Sequence, residues 1–569
     1  MTQTTAERIS LLLHRLYDAD TAQSTLNRVM TLLDNARLPA FEDGERFSER
    51  DVFLITYGDT LQRESEPPLR TLHHFLNQWV KGAISTIHIL PFYPYSSDDG
   101  FSVIDYYAVN PDLGTWEDVA ALGQDFRLMF DAVINHMSAR SEWFQRFLAD
   151  EPDYRELFAV ASPDQDLSLV TRPRTSPLLT PFQKANGETI HVWTTFSDDQ
   201  VDLNYQNPDT LLRILDVLLF YVRQGAQVIR LDAIAYAWKE IGTNCIHLAQ
   251  THALIQLLRA VLDHVAPQVI LITETNVPHA ENVSYFGNGY DEAQMVYNFT
   301  LPPLLFHTML AGNANQLSAW ANTLITPSEQ TTFFNFTASH DGIGVRPVEG
   351  ILSQGELNRL IAAVENRGGR VSYKANSDGS RSPYELNITY VDALADPNLP
   401  RELQQKCFLC SQAIMLTLAG VPAIYIHSLL GSHNDIAGME QSGHNRRINR
   451  AKLNAEVIEA ELANKESQRA AIFYPYLDLI RKRIEQPTFH PKAHQVTSVL
   501  NGGQVFVIQR TAANQAILAL FNVTSIPQKV TLQYDAERDL LDAQFVPERT
   551  FTLEPYQTRW LLLKDMPTA

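Results

Sequence analysis

The order of apolar and polar residues predicts an α/β protein: a closed (β/α)8 barrel of the TIM type, with insertions after its third and seventh strands and an antiparallel β-domain at the C-terminal end. Three observations carry that prediction. Eight short, nearly continuous apolar runs recur between residues 51 and 428. Helical patterns lie between several of them, as parallel strands covered on both faces require. After about residue 488 the texture changes to short alternating strands separated by turn residues.

Residues 1–50 read as a helical extension, because Leu11, Leu12, Leu13, Leu16, Leu26, Val29, Leu32 and Leu33 recur at helical spacing among polar residues. The barrel is expected over 51–487. Its strand candidates are DVFLITYGD (51–59), ISTIHILPF (84–92), RLMFDAVINH (127–136), VIRLDA (228–233), VILITE (269–274), MVYNFT (295–300), FFNFTASHD (333–341) and GVPAIYIHS (420–428). TLLRILDVLLFYVRQG and HALIQLLRAVLDHV are helical patterns between them. Two intervals are too long for simple βα loops. One spans about 140–205 and is rich in Pro, Asp and Thr; the other spans about 342–395 and contains RGGRVSYKANSDGSRSPYE. Barrels keep their substrate machinery in such insertions, at the C-terminal ends of the strands. Over 488–569, VTSVL, QVFVIQRT, AILALFNVT, QKVTLQY and TRWLLL predict the small antiparallel β-domain.

Composition narrows the function. Hydrophobic residues at 45% and charged residues at 19% describe a packed globule and exclude disorder or coiled coil as its main character. A net charge of −20 opposes binding to nucleic acid or to an anionic membrane. No apolar run reaches the roughly 18–20 residues of a spanning helix, and the first residues lack a basic, then apolar, leader pattern. A cytoplasmic location is expected. Cys407 and Cys410 form a CxxC without a second pair, and read as core together with Cys245. His247 and His252 are five apart, off the i, i+4 spacing of a helical zinc site. Neither a metal nor an organic cofactor is expected.

The chemistry lies in where the acids fall. Asp131, Asn135 and His136 end the third strand, Arg230 and Asp232 the fourth, Glu274 the fifth, His340 and Asp341 the seventh. Each carboxylate alone has a bland reading as a helix N-cap. Three on separate strands, at a rim where parallel strands all end, suit acetal chemistry instead. Arg230, two residues before Asp232 on the same strand face, favours an ionised nucleophile. Glu274 is expected to be raised in pKa by desolvation and neighbouring carboxylates, as a general acid requires. Asp341 could bind sugar hydroxyls and stabilise an oxocarbenium-like transition state, and an acid and nucleophile about 5 Å apart imply retention of configuration. Phe101 and Phe196, beside carboxylates, suit the apolar face of a sugar.

VIRLDA, ITE and FTASHD, with DAVINH upstream, resemble the signature regions of the α-amylase superfamily, glycoside hydrolase family 13. With LITYGD, LPFYPYSSDDGF, the RPR of VTRPRTSPLLTPF, SHDGIG, GVPAIYIHS and NRRINR, the chain from Asp51 onward is similar to the sucrose phosphorylase subfamily. The resemblance implies a retaining α-glucoside phosphorylase with Asp232 as nucleophile, Glu274 as acid/base and Asp341 as transition-state stabiliser. It implies a glucose subsite of Asp98, His136, Arg230, His340 and Arg446, an aromatic platform of Phe101 and Phe196, and further pocket positions at Gln200 and Tyr236. Arg172 and Arg174 fall where the subfamily handles phosphate, and Tyr384 matches a mobile-loop tyrosine. An extended R-P-R would place both guanidinium groups on one side, well suited to an anion.

Two departures concern the acceptor. Asn276 stands where sucrose phosphorylases have His, and Ser382, preceded by Arg381, stands where they have an Asp that binds fructose. Losing a carboxylate and gaining a cation favours an anionic acceptor. DVFLITYGD, HMSARSEWF, ITETNVPH and GSHNDIAG most resemble the members of the subfamily that act on glucosylglycerate. The expected substrates are therefore an α-glucoside and inorganic phosphate, with a homodimer allowed. Fructose or fructose 6-phosphate as acceptor, hydrolysis or transglucosylation, and a non-catalytic barrel remain alternatives.

Overall fold

The structure is a computed structural model that describes residues 4–39, 44–376, 379–512 and 514–565. Within the 1–50 extension and the 342–395 insertion, residues 1–3, 40–43, 377 and 378 lie outside the described residues.

Eight parallel strands close the barrel in the order in which they occur in the chain: β1 (Phe53–Thr56), β2 (Thr86–Ile89), β3 (Arg127–Ala132), β4 (Ala226–Leu231), β5 (Ile270–Thr273), β6 (Met295–Tyr297), β7 (Thr332–Phe336) and β8 (Val421–Tyr425), with β8 pairing back to β1. Six fall inside an apolar run of the sequence, and β4 and β7 overlap theirs, starting two residues and one residue earlier. β1, β2, β5, β6, β7 and β8 are buried throughout, which explains why they read as continuous apolar segments rather than alternating ones. Helices such as Pro208–Arg223 and Ala249–Val265 cover the outside, the first entered through an Asn207 cap and a proline at its start.

The N-terminal extension forms α1 (Thr5–Leu16), opened by a Thr4–Glu7 capping box, and α2 (Ala19–Asn35), capped by Asp18. Ile9, Leu13 and Val29 join the same apolar core as the barrel, and Arg8 Nη1 meets Asp263 Oδ2 at 2.6 Å. The insertion after β3 carries an antiparallel hairpin, Leu179–Gln183 with Thr189–Trp193, and a short strand Gln200–Asp202 that pairs with His136–Ser138. The insertion after β7 forms a three-stranded sheet in the order Ile343–Gly344, Arg381–Asn387, Arg370–Ala375. At the C-terminal end a five-stranded sheet runs His494–Leu500, Val505–Ala512, Gln515–Asn522, Thr558–Leu563, Ala536–Asp539, and a separate ladder joins Gln528–Thr531 to Thr550–Leu553. Ala536–Asp539 and Thr550–Leu553 escaped the sequence reading because AERD has a single apolar residue and TFTL alternates over only four positions. Cys245, Cys407 and Cys410 are buried free thiols. Among the described residues no helix is long and apolar enough to cross a membrane.

Candidate active site

Register decides which rim residues meet. Asp131 of β3 and Ile272 of β5 both pair with Arg230 of β4, and Leu231 pairs with Thr273. One residue further along, Asp232 and Glu274 leave neighbouring strands side by side. Paired strands lie about 4.8 Å apart, and residues in register point to the same face. Both carboxyls therefore enter the barrel mouth together.

Buried Arg230 organises them. Its Nη1 donates to Asp232 Oδ1 at 2.7 Å and to Asp131 Oδ1, while its Nη2 stands 3.7 Å from Glu274 Oε2. Asp131 is also 2.7 Å from His88 Nε2. Phe101 and Tyr297 lie 5.6 and 5.4 Å from the guanidinium. A buried cation of this kind persists only with such pairing. Immediately after Asp232 the backbone turns left-handed at Ala233 (φ 46°), and the Ala233 amide donates to Glu274 Oε2 at 3.1 Å.

The carboxyls are poised differently. Burial pushes Glu274 up to about 7 and Asp232 up to about 6, against the pull of Arg230. Asp232 receives a hydrogen bond from that arginine and Glu274 does not, so Asp232 ionises first. Burial also opposes charge on Asp341, yet the guanidinium groups of Arg446, Arg450 and Arg230 outweigh it and hold Asp341 well below the usual carboxylate range. Arg446 Nη1 lies 2.7 Å from Asp341 Oδ1, and its Nε donates to Glu385 Oε2 at 3.0 Å. Arg450 reaches Asp99 at 2.8 Å and Asp98 at 3.6 Å. Asp98 and Asp99 are both left-handed (φ 52° and 49°), and a Cβ on Gly100 (φ 112°) would come within 2.5 Å of the Pro91 carbonyl. This turn accepts only glycine at its end.

The walls are aromatic. Phe101 stacks on the His340 ring at 4.7 Å and 5°, and Phe196 stands 5.2 Å from His136 and 5.6 Å from Tyr236. His136 Nε2 and Gln200 Nε2 lie 2.9 and 3.0 Å from the Phe101 carbonyl. Burial lowers both His136 and His340, keeping them neutral.

Of the residues singled out from sequence, Asp232, Glu274, Asp341, Asp98, Phe101, His136, Phe196, Gln200, Tyr236, Asn276, His340 and Arg446 line one cleft with Arg174 and Tyr384. Arg230 lies beneath its floor. Two readings change. The chain bends over 173–176 rather than running extended, so Arg174 enters the cleft while Arg172 lines a neighbouring chamber. Arg381 is exposed at the end of the Arg381–Asn387 strand, separated from Tyr384 by an irregularity in the ladder, and it does not line the cleft. Ser382 Oγ instead donates to Asn376 Oδ1 at 3.1 Å.

Sequence reasoning passed over His88, Glu385 and Arg450. A titratable side chain inside the largely apolar ISTIHILPF was a signal for the first. Glu385 and Arg450 sit in SPYELN and NRRINR, segments already in view. Arg346 and Lys374, which line the chamber beside Arg172 and Tyr384, lie in the second insertion and had no motif to mark them. Among the described residues no group of three or more His, Cys, Asp or Glu is placed to hold a metal ion.

Residues 79–344 match the model of the alpha-amylase catalytic domain. The chain is 51% identical to the glucosylglycerate phosphorylase of Allomeiothermus silvanus, over 91% of this chain and 92% of that protein. It is 45% identical to the glucosylglycerate phosphorylase of Escherichia coli, over 98% and 100%. The crystal structure of sucrose 6F-phosphate phosphorylase from Thermoanaerobacter thermosaccharolyticum superposes with a TM-score of 0.73 at 24% identity, covering 83% of this chain and 94% of that one, a likeness of fold. With the register-matched carboxylates at the barrel rim, these likenesses lead to one conclusion: the chain belongs to the α-amylase family, glycoside hydrolase family 13, in the branch that holds the glucosylglycerate phosphorylases.

Proposed function

We propose that the protein is a glucosylglycerate phosphorylase, converting 2-O-α-D-glucosyl-D-glycerate and phosphate into α-D-glucose 1-phosphate and D-glycerate with retention. Ionised Asp232 attacks the anomeric carbon. The bond to the glycerate oxygen breaks as Glu274 gives that oxygen its proton, leaving a glucosyl ester on Asp232. A phosphate oxygen then attacks the same carbon, Glu274 takes the phosphate proton, and the Asp232 carboxylate departs. Two inversions restore the α configuration. Asp341, held ionised by Arg446, stabilises the positive charge that develops on the sugar in both steps.

The observation that carries this reading is the unequal hold of Arg230 on two adjacent carboxyls. One group is ready to attack and the other ready to donate at the same pH. Near them Arg174 lies 5.3 Å from the Tyr384 ring and 5.7 Å from Phe196, with no carboxylate partner among the described residues. That cation suits the carboxylate of glycerate and then phosphate better than neutral fructose. The test is phosphate release from α-glucose 1-phosphate with D-glycerate, fructose, fructose 6-phosphate and glycerol as parallel acceptors. Fastest release is expected with D-glycerate. Faster release with fructose 6-phosphate, or free glucose as the main product in phosphate buffer, would overturn the assignment.

A further inference from the structure

Behind Tyr384 the inner cleft has a neighbour. Tyr384 lines both spaces, so its ring is the wall between them. The neighbouring chamber is formed by the first insertion, Leu167–Pro173, and the second, Lys374–Asn376, together with Arg346. Its charged residues are three cations, Arg172, Arg346 and Lys374.

The chain carries a net charge of −20, yet carboxylates are scarce around these cations. Among the described residues neither Arg172 nor Lys374 makes an ion pair, and Arg346 has only Glu349, 3.9 Å away and itself 54% exposed. The Arg346 Nε is buried without a hydrogen-bond partner. Burial lowers both Arg172 and Lys374, Lys374 further through Arg346, and only distant Glu349 favours its charge. Three partly desolvated cations, two of which, Arg346 and Lys374, repel each other, are unfavourable by themselves and become favourable around a multiply charged anion.

We propose that this chamber is a second anion site, distinct from the inner cleft, which holds inorganic phosphate while the glucosyl unit and departing acceptor still occupy the cleft. The proposal rests on the phosphorylase reading above. A dianion needs more than one cation and matches three, whereas a single carboxylate is already met in the cleft by Arg174. In a double displacement the two anions must exchange at one cleft. Phosphate waiting behind Tyr384 would need only that ring to move, and water would have less time to reach the glucosyl ester.

The test compares wild type with Lys374→Gln, Arg346→Gln and the double variant, varying phosphate at saturating glucosylglycerate. Formation of the glucosyl-enzyme is read separately by fluoride release from α-glucosyl fluoride without phosphate. The KM for phosphate is expected to rise about tenfold in each single variant, with kcat within twofold and fluoride release unchanged. More free glucose per glucose 1-phosphate should appear at low phosphate. An unchanged phosphate KM in Lys374→Gln, or a loss confined to the affinity for D-glycerate in the reverse direction, would overturn the second site. If wild type makes no glucose 1-phosphate, the phosphorylase reading itself fails, which is a different result.

Discussion

The inner and outer ends of the cleft neutralise charge in opposite ways. At the inner end every ionised group has a built-in counterpart: Arg230 between Asp131 and Asp232, Arg446 between Asp341 and Glu385, Arg450 against Asp99. At the outer end, Arg174 in the cleft and Arg172 and Lys374 in the adjoining chamber have no carboxylate partner among the described residues, and Arg346, also in that chamber, has a distant one. On the proposed reading the inner end takes a neutral sugar and must hold its acids at set protonation states, so its charges are balanced in advance. On the same reading the outer end takes anions, and its missing counter-charges come with them. A buried charge that the fold leaves unpaired points to what the ligand carries.

The largest test of this contrast is at the inner end. Asp232→Asn is expected to lower phosphorolysis by roughly 10⁴-fold or more, with native circular dichroism, because no other group can form the glucosyl ester. Substantial remaining turnover would break the comparison. Glu274→Gln should lower turnover of glucosylglycerate by about 10²–10⁴-fold while largely sparing fluoride release from α-glucosyl fluoride, whose leaving group needs no proton. Arg174→Met should act at the outer end only. We expect use of both phosphate and D-glycerate to fall about 10–100-fold, the scale of a lost charge-assisted hydrogen bond, with fluoride release intact.

The pH profile separates the two inner acids. Asp232 must be ionised to attack and is lost as pH falls through about 6, whereas Glu274 must be protonated to donate and is lost as pH rises through about 7. A bell-shaped kcat/KM for glucosylglycerate is expected, its limbs belonging to the coupled pair. With α-glucosyl fluoride the alkaline limb of glucosyl-enzyme formation should disappear. The smallest effect is expected from Arg381→Ala, within about twofold on every substrate, since that side chain is exposed and does not line the cleft. A large, acceptor-selective loss would restore it to the acceptor site and revise the strand's orientation.

What was legible in the residues follows the same division. Asp232, Glu274 and Asp341 sit at the ends of apolar strands, and a barrel delivers all strand ends to one rim, so local pattern was enough to bring them together. Arg172, Arg174, Arg346, Arg381 and Lys374 sit on inserted segments whose paths local pattern does not specify. A bend over 173–176 sent two neighbouring arginines to different chambers, and Arg381 was left exposed at the end of its strand. Lys374 was passed over because nothing in YKANSDG marks it; only pairing of Arg370–Ala375 with Arg381–Asn387 carries it beside Tyr384.

Read alone, the chain determined the barrel, its order and its three acids, because apolar periodicity and the ends of parallel strands are properties of short stretches of sequence. Only the tertiary structure decided the unequal grip of Arg230, the left-handed Ala233 whose amide holds Glu274, and the grouping of cations behind Tyr384. Those depend on distances between residues far apart in the chain, and on which charges folding strips of water without supplying a partner.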